Sequence, residues 1–222
     1  MIQSVIRFAA VTIACATIGL AASTAPAKSD DGVVKIVALG DSLTTGFGLP
    51  SNDAFPAKLT RALAAKGIAA AVADAGVSGD TAGGGLARLA WSVPEGTDAV
   101  ILELGANDML RGIDPKQTRQ AIREIVRQLT ERRIAVLVCG MRAAPNLGED
   151  YARAFNPLFA EVAATFADRN ASFYPFFLDG VAGDPKLNQP DGLHPTSPGV
   201  DVIVARILPK VEDLIARVRK AR

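Results

Sequence analysis

Apolar residues follow two alternating rhythms along this chain. Short apolar runs occupy residues 33–40, 68–74, 99–104, 134–139 and 172–176. Each has the length of a strand and reads as buried rather than as alternating polar and apolar. Between them, apolar residues recur at helical spacing. Phe55, Leu59 and Leu63 mark a helix over 53–66, with Asp53 as its cap and Gly67 as its stop. Leu86, Leu89 and Ala90 mark a second helix, weakened at its start by Gly83-Gly84-Gly85. Ile122, Ile125, Val126 and Leu129 belong to a third, which Asp114 caps and Pro115 opens. Phe155, Leu158, Val162 and Phe166 continue the pattern over 151–168, where Pro157 must kink or restart the helix. The last helix carries an apolar stripe from Val200 to Val218. Strand followed by helix, about five times, implies one α/β domain: a parallel sheet with helices on both faces.

The first residues do not fit that rhythm. After Arg7, residues 8–22 are small or apolar and carry no charge. That is short for a bilayer span but suits a secretory signal, with Ala25-Pro26-Ala27 as the cleavage site. The expected division is therefore a signal peptide over 1–27 and a single globular domain over 28–222, periplasmic or secreted, with no stable membrane span after cleavage. Cleavage would remove Cys15 and leave Cys139 alone, so no intrachain disulfide is expected.

Composition removes some partners. The formal net charge is +1, from 24 basic and 23 acidic residues, so no charge excess points to nucleic acid. There is no Gly-x-x-x-x-Gly-Lys phosphate loop, and Gly46-Phe47-Gly48 lacks the third glycine of a dinucleotide fingerprint. One His and one mature Cys make a metal site improbable, and no cofactor is expected.

The chemistry-bearing residues sit where strands end. Asp41-Ser42, Gly79-Asp80 and Asn107-Asp108 each follow a predicted strand, so they fall on one side of a parallel sheet. A fourth cluster, Asp191 to His194, lies in the Pro-rich loop before the last helix. His194 is the only histidine, so any His-dependent reaction must use it. Asp191 stands three residues before it, the spacing of one helical turn. A carboxylate there can accept the far ring N–H and leave the near nitrogen to take a proton from Ser42. Ser42 alone reads equally as a helix N-cap. Gly79 could offer a backbone N–H, Asn107 a side-chain amide, and Ser42 its own N–H, to a developing oxyanion. Singly, Gly79 fits a turn and Asn107 a loop cap.

Together these blocks resemble the SGNH, or GDSL, hydrolases. The resemblance rests on Gly40-Asp41-Ser42-Leu43, Gly79, Gly105-Ala106-Asn107-Asp108 and Asp191-Gly192-Leu193-His194, in order over about residues 34–215. Longer runs, such as Val77-Ser78-Gly79-Asp80-Thr81 and Leu110-Arg111-Gly112, resemble the periplasmic thioesterase I/lysophospholipase/arylesterase branch. The resemblance implies a flavodoxin-like three-layer α/β/α sandwich. It also implies catalytic Ser42, Asp191 and His194, and an oxyanion hole of Ser42, Gly79 and Asn107. The loop over 142–151 would border an acyl pocket. Ala106 replaces a glycine frequent in that branch. The expected activity is hydrolysis of carboxylic esters or thioesters through an acyl-enzyme, on small acyl esters, thioesters or lysophospholipids. A carbohydrate deacetylase would share the machinery, but aromatic residues are only 5%, too few for an evident sugar platform. A non-catalytic binding module with the same fold is the remaining alternative.

Overall fold

The apolar runs pair side by side in one parallel sheet of order β2-β1-β3-β4-β5. The structure is a computed structural model that describes Met1 and residues 32–222. The signal peptide, its cleavage site and Cys15 lie outside the described residues. The strands are β1 (Val34–Gly40), β2 (Ala70–Gly76), β3 (Ala99–Glu103), β4 (Ala135–Cys139) and β5 (Ala171–Tyr174). Short helices follow the site-bearing strands: α1 (Ser42–Thr45) after β1, and α5 (Ala106–Leu110) after β3. Of the others, α2 (Phe55–Ala65) and α9 (Ser197–Ala221) cover one face of the sheet. Helices α3 (Ala82–Ala87), α6 (Pro115–Glu131) and α8 (Leu158–Thr165) cover the opposite face. The remaining helices are α4 (Leu89–Ser92) and α7 (Gly148–Phe155). This is the expected three-layer sandwich.

Burial explains the central strands and corrects one expectation. β3 and β4 are buried at every residue, because both faces are covered by helices. β2 is not: it lies two residues later than the apolar run suggested and is largely half-exposed. It is an edge strand of small residues, paired only with β1. Helix α9 buries Val200, Ile203, Val204, Ile207, Val211, Leu214, Ile215 and Val218 in a single stripe. Each such side chain stabilises the fold by roughly 1.5–3 kcal/mol relative to exposure.

Two local expectations resolve differently. Asp53 does not cap α2; it ends a 3-10 turn over Ser51–Asp53, and Ala54 is the N-cap. Pro56, in the first turn of α2, supplies the preset backbone angle and lacks the N–H that would need a partner. Pro157 does divide the 151–168 pattern, since α7 ends at Phe155 and α8 starts at Leu158. Among the described residues, no helix is long and apolar enough to cross a membrane. Cys139 is a buried free cysteine.

The strand order sets the place of the site. The chain leaves β1 to one side for β2 and returns to its other side for β3. A crevice therefore opens beyond the carboxyl ends of β1 and β3, the switch point of a doubly wound sheet. Gly40 and Glu103, the last residues of these strands, are in register there.

Candidate active site

Ser42 is the first residue of α1, where the chain turns sharply out of β1. Asp41 caps that turn: its Oδ1 accepts the N–H of Leu43 at 2.9 Å. The cap holds Ser42 at the mouth of the crevice. Gly40 makes the turn possible by close approach. A Cβ there would lie within 2.7 Å of Glu103 Oε2 and would strike the Thr44 hydroxyl.

His194 reaches Ser42 from the other side of the crevice. Its Nε2 lies 2.9 Å from Ser42 Oγ, and its Nδ1 lies 2.7 Å from Asp191 Oδ2. Asp191 Oδ1 also accepts the N–H groups of Leu193 and His194, at 2.9 and 3.0 Å. These bonds form an Asx turn, not the helical turn that the three-residue spacing suggested. Backbone donation from His194, then the bond from its ring, lowers the Asp191 carboxyl to about 2. Asp191 is therefore a carboxylate at neutral pH and can only accept. Nδ1 must carry the ring proton, and Nε2 is left to accept from the Ser42 hydroxyl.

The loop that carries His194 is long and Pro-rich, yet it is firmly tied. Gln189 donates its backbone N–H to the His194 carbonyl at 2.7 Å. Its side-chain amide donates to the carbonyls of Phe47 and Pro195, at 2.7 and 3.0 Å. The Phe47 ring lies over the imidazole, with centroids 4.6 Å apart. Sequence reasoning missed Phe47, which at 51% exposure gave no burial signal.

Asn107, in the first turn of α5, borders the same crevice. Its Nδ2 donates to Asp41 Oδ2 at 2.9 Å, so one amide hydrogen is fixed and the other remains for a ligand. Gly105, at φ +114, sets up this turn, and a Cβ on it would press on the Phe159 ring. Asp108 is buried and structural: it accepts from Ala82 N at 2.8 Å and Thr118 Oγ1 at 2.9 Å. Asp80 pairs with the buried Arg88 at 2.6 Å. Gly79 follows β2 on the same edge of the sheet but is not part of the cavity wall. Its carbonyl accepts from Arg111 at 2.7 Å.

A cavity of about 280 Å³ opens onto Ser42, Asn107 and His194. Its walls are chiefly apolar, with Leu43, Met109, Leu110, Met141, Phe176 and Leu178 among them. The first residues of the 142–151 loop, Arg142 to Pro145, border it, and the Arg142 guanidinium stacks 4.7 Å from the Phe176 ring centroid. Among the described residues, no group of three or more His, Cys, Asp or Glu is placed to hold a metal ion.

Comparison with known proteins identifies the family. Residues 38–202 match the model of the GDSL-like lipase/acylhydrolase family. The chain is 34% identical to the esterase TesA of Pseudomonas aeruginosa over 81% of its own length and 89% of that protein's. It is 35% identical to thioesterase 1/protease 1/lysophospholipase L1 of Escherichia coli, over 72% of this chain and 74% of that one. The crystal structure of the SGNH-hydrolase family esterase AlinE4 superposes with a TM-score of 0.67 at 41% identity, covering 82% of this chain and 96% of that one. With so much of its length matched, the chain belongs to the GDSL-like lipase/acylhydrolase family.

Proposed function

We propose that the protein is an exported serine hydrolase of carboxylic esters and thioesters, acting through an acyl-enzyme on Ser42. The observation that carries this reading is the unbroken chain from Ser42 Oγ through His194 to Asp191, at 2.9 and 2.7 Å, opening on an apolar cavity. Ser42 Oγ attacks the carbonyl carbon and gives its proton to His194 Nε2. The C=O electron pair moves onto oxygen, where the free hydrogen of the Asn107 amide and the N–H of Ser42 are the nearest expected donors, with Gly79 as a third. Collapse breaks the bond to the alkoxide or thiolate, which takes the proton from His194. Water then attacks the acyl-enzyme, loses its proton to His194, and the serine is restored.

The apolar walls favour an acyl chain over a sugar ring as the group held in the cavity. The relatives named for esterase, arylesterase and thioesterase activity support the same substrate class. The uncharged run over 8–22 supports export to the periplasm or beyond. Replacing Ser42 by Ala tests the reading. Turnover of a p-nitrophenyl ester should fall at least about 10⁴-fold while the protein still melts as a folded domain. Full activity in that variant would contradict the proposal.

A further inference from the structure

A carboxyl that the reaction does not touch is buried directly behind the catalytic turn. Glu103 ends β3, is 1% exposed, and faces the last residue of β1. Its Oε2 accepts from the Thr44 hydroxyl at 2.8 Å and weakly from Asp41 N–H at 3.4 Å. Among the described residues, no donor reaches its Oε1, which is fully buried. A buried carboxylate with an empty acceptor is costly, and the next carboxyl group in the space is Asp41, itself 0% exposed. Two acids in one dry site cannot both ionise. Other charges nearby do not neutralise Glu103. Arg88 is committed to Asp80 and to the Gly40 carbonyl, and the adjacent Cys139 is a buried thiol. Burial drives both carboxyls upward, Asp41 to about 6. Asp41 accepts from the Leu43 N–H and the Asn107 amide, whereas no donor among the described residues reaches Glu103 Oε1, so the negative charge rests on Asp41 and the proton on Glu103.

We propose that Glu103 is a positioning residue for the oxyanion site: it carries a proton, donates it to Asp41, and so holds the Asp41 carboxylate on the Asn107 amide. Asp41 has two oxygens. One is committed to the α1 turn and the other to Asn107. A donor from Glu103 removes the freedom of that carboxylate to rotate, and Asn107 inherits the restraint. The motif Gly40-Asp41-Ser42-Leu43-Thr44 is then a cradle for Glu103 as well as the bearer of Ser42. Gly40 leaves room for the carboxyl and Thr44 binds its second oxygen. The inference rests on Asn107 being an oxyanion donor, as proposed above.

The test is a double-mutant cycle on kcat and KM. Glu103→Met keeps the volume, removes the donor, and leaves an apolar group that buried sites tolerate well. It should lower kcat about tenfold and leave KM within about twofold, less than the roughly 10²-fold loss expected for Asn107→Ala alone. In an Asn107→Ala background the same change should cost less than about twofold, because there is no amide left to position. Glu103→Gln, which keeps a donor, should recover most of the lost kcat. An equal loss in both backgrounds overturns the inference, as does a folded Met variant with wild-type kcat. If the Met variant does not fold, Glu103→Gln decides: a loss below about fivefold supports the inference and a larger loss in a folded protein overturns it. If Asn107→Ala itself leaves kcat intact, the oxyanion reading fails first and this inference falls with it.

Discussion

The molecule carries two carboxylate arrangements around the Ser42 turn, one behind His194 and one behind Asp41 and Thr44, and they are opposites. Asp191 lies in a surface loop, its side chain 38% exposed, with three donors aimed at it. Those donors lower its carboxyl to about 2, so it is charged at neutral pH. Glu103 lies in the sheet with a single good donor, and burial followed by the Asp41 charge pushes it well up. The same functional group therefore serves as an anion on one side of Ser42 and a proton holder on the other. What decides is the number of donors and access to water, not the residue type. It also explains the division of labour. The base is oriented by a charge that stabilises it as it gains a proton, whereas the Asn107 amide is fixed by a carboxylate that is itself held in place from behind.

The largest expected effect falls on the exposed side. In Asp191→Asn the one remaining oxygen is claimed by the Leu193 and His194 N–H groups, so an NH2 group faces His194 Nδ1 and favours the wrong tautomer. A fall in kcat of about 10⁴-fold, with a melting temperature close to wild type, is expected. A drop of less than tenfold would mean that Asp191 is not the orienting acid.

A smaller effect, of opposite sign in its pH dependence, falls on the buried side. Glu103 binds its proton more tightly folded than unfolded, because its folded value is raised above 4.5. The unfolded chain therefore releases that proton first as pH rises, and folding stability declines from about pH 4.5 upward. Asp41, raised from 3.8 to about 6, acts in the same direction over its own range. Asp191 acts the other way: its lowered value contributes stability above its unfolded value of 3.8, and this is lost as pH falls toward 2. Melting curves at pH 4.5 and pH 8 should thus show Glu103→Gln gaining a few degrees over wild type at the higher pH, the scale of ~1 kcal/mol in a domain of this size. The gap should close at pH 4.5. Parallel curves at both pH values would contradict a protonated Glu103.

Much of this was legible in the residues, and the illegible parts share a cause. Apolar runs identify strands because a buried strand needs little else, and the break at Gly40-Asp41-Ser42 marks where β1 stops. The spacing of Asp191 and His194 correctly joined them, though through an Asx turn instead of a helix. Asp53 misled because a capping residue type is only a preference, and Pro56 overrode it. β2 misled because an apolar composition does not reveal whether a strand lies at an edge. The Asp41–Asn107 contact spans 66 residues, and no local pattern encodes it. Glu103 did leave a sign, a lone acid at the end of an otherwise apolar run, but only the register with Gly40 gives that sign a meaning. Phe47 left none.

The central claim is that Ser42 forms the covalent intermediate. The protein should be treated with a fluorophosphonate, digested, and the adduct mapped by peptide mass spectrometry. One adduct on the peptide that contains Ser42, absent in Ser42→Ala, is the expected result. An adduct on any other residue, or none on a protein that hydrolyses p-nitrophenyl esters, would contradict it.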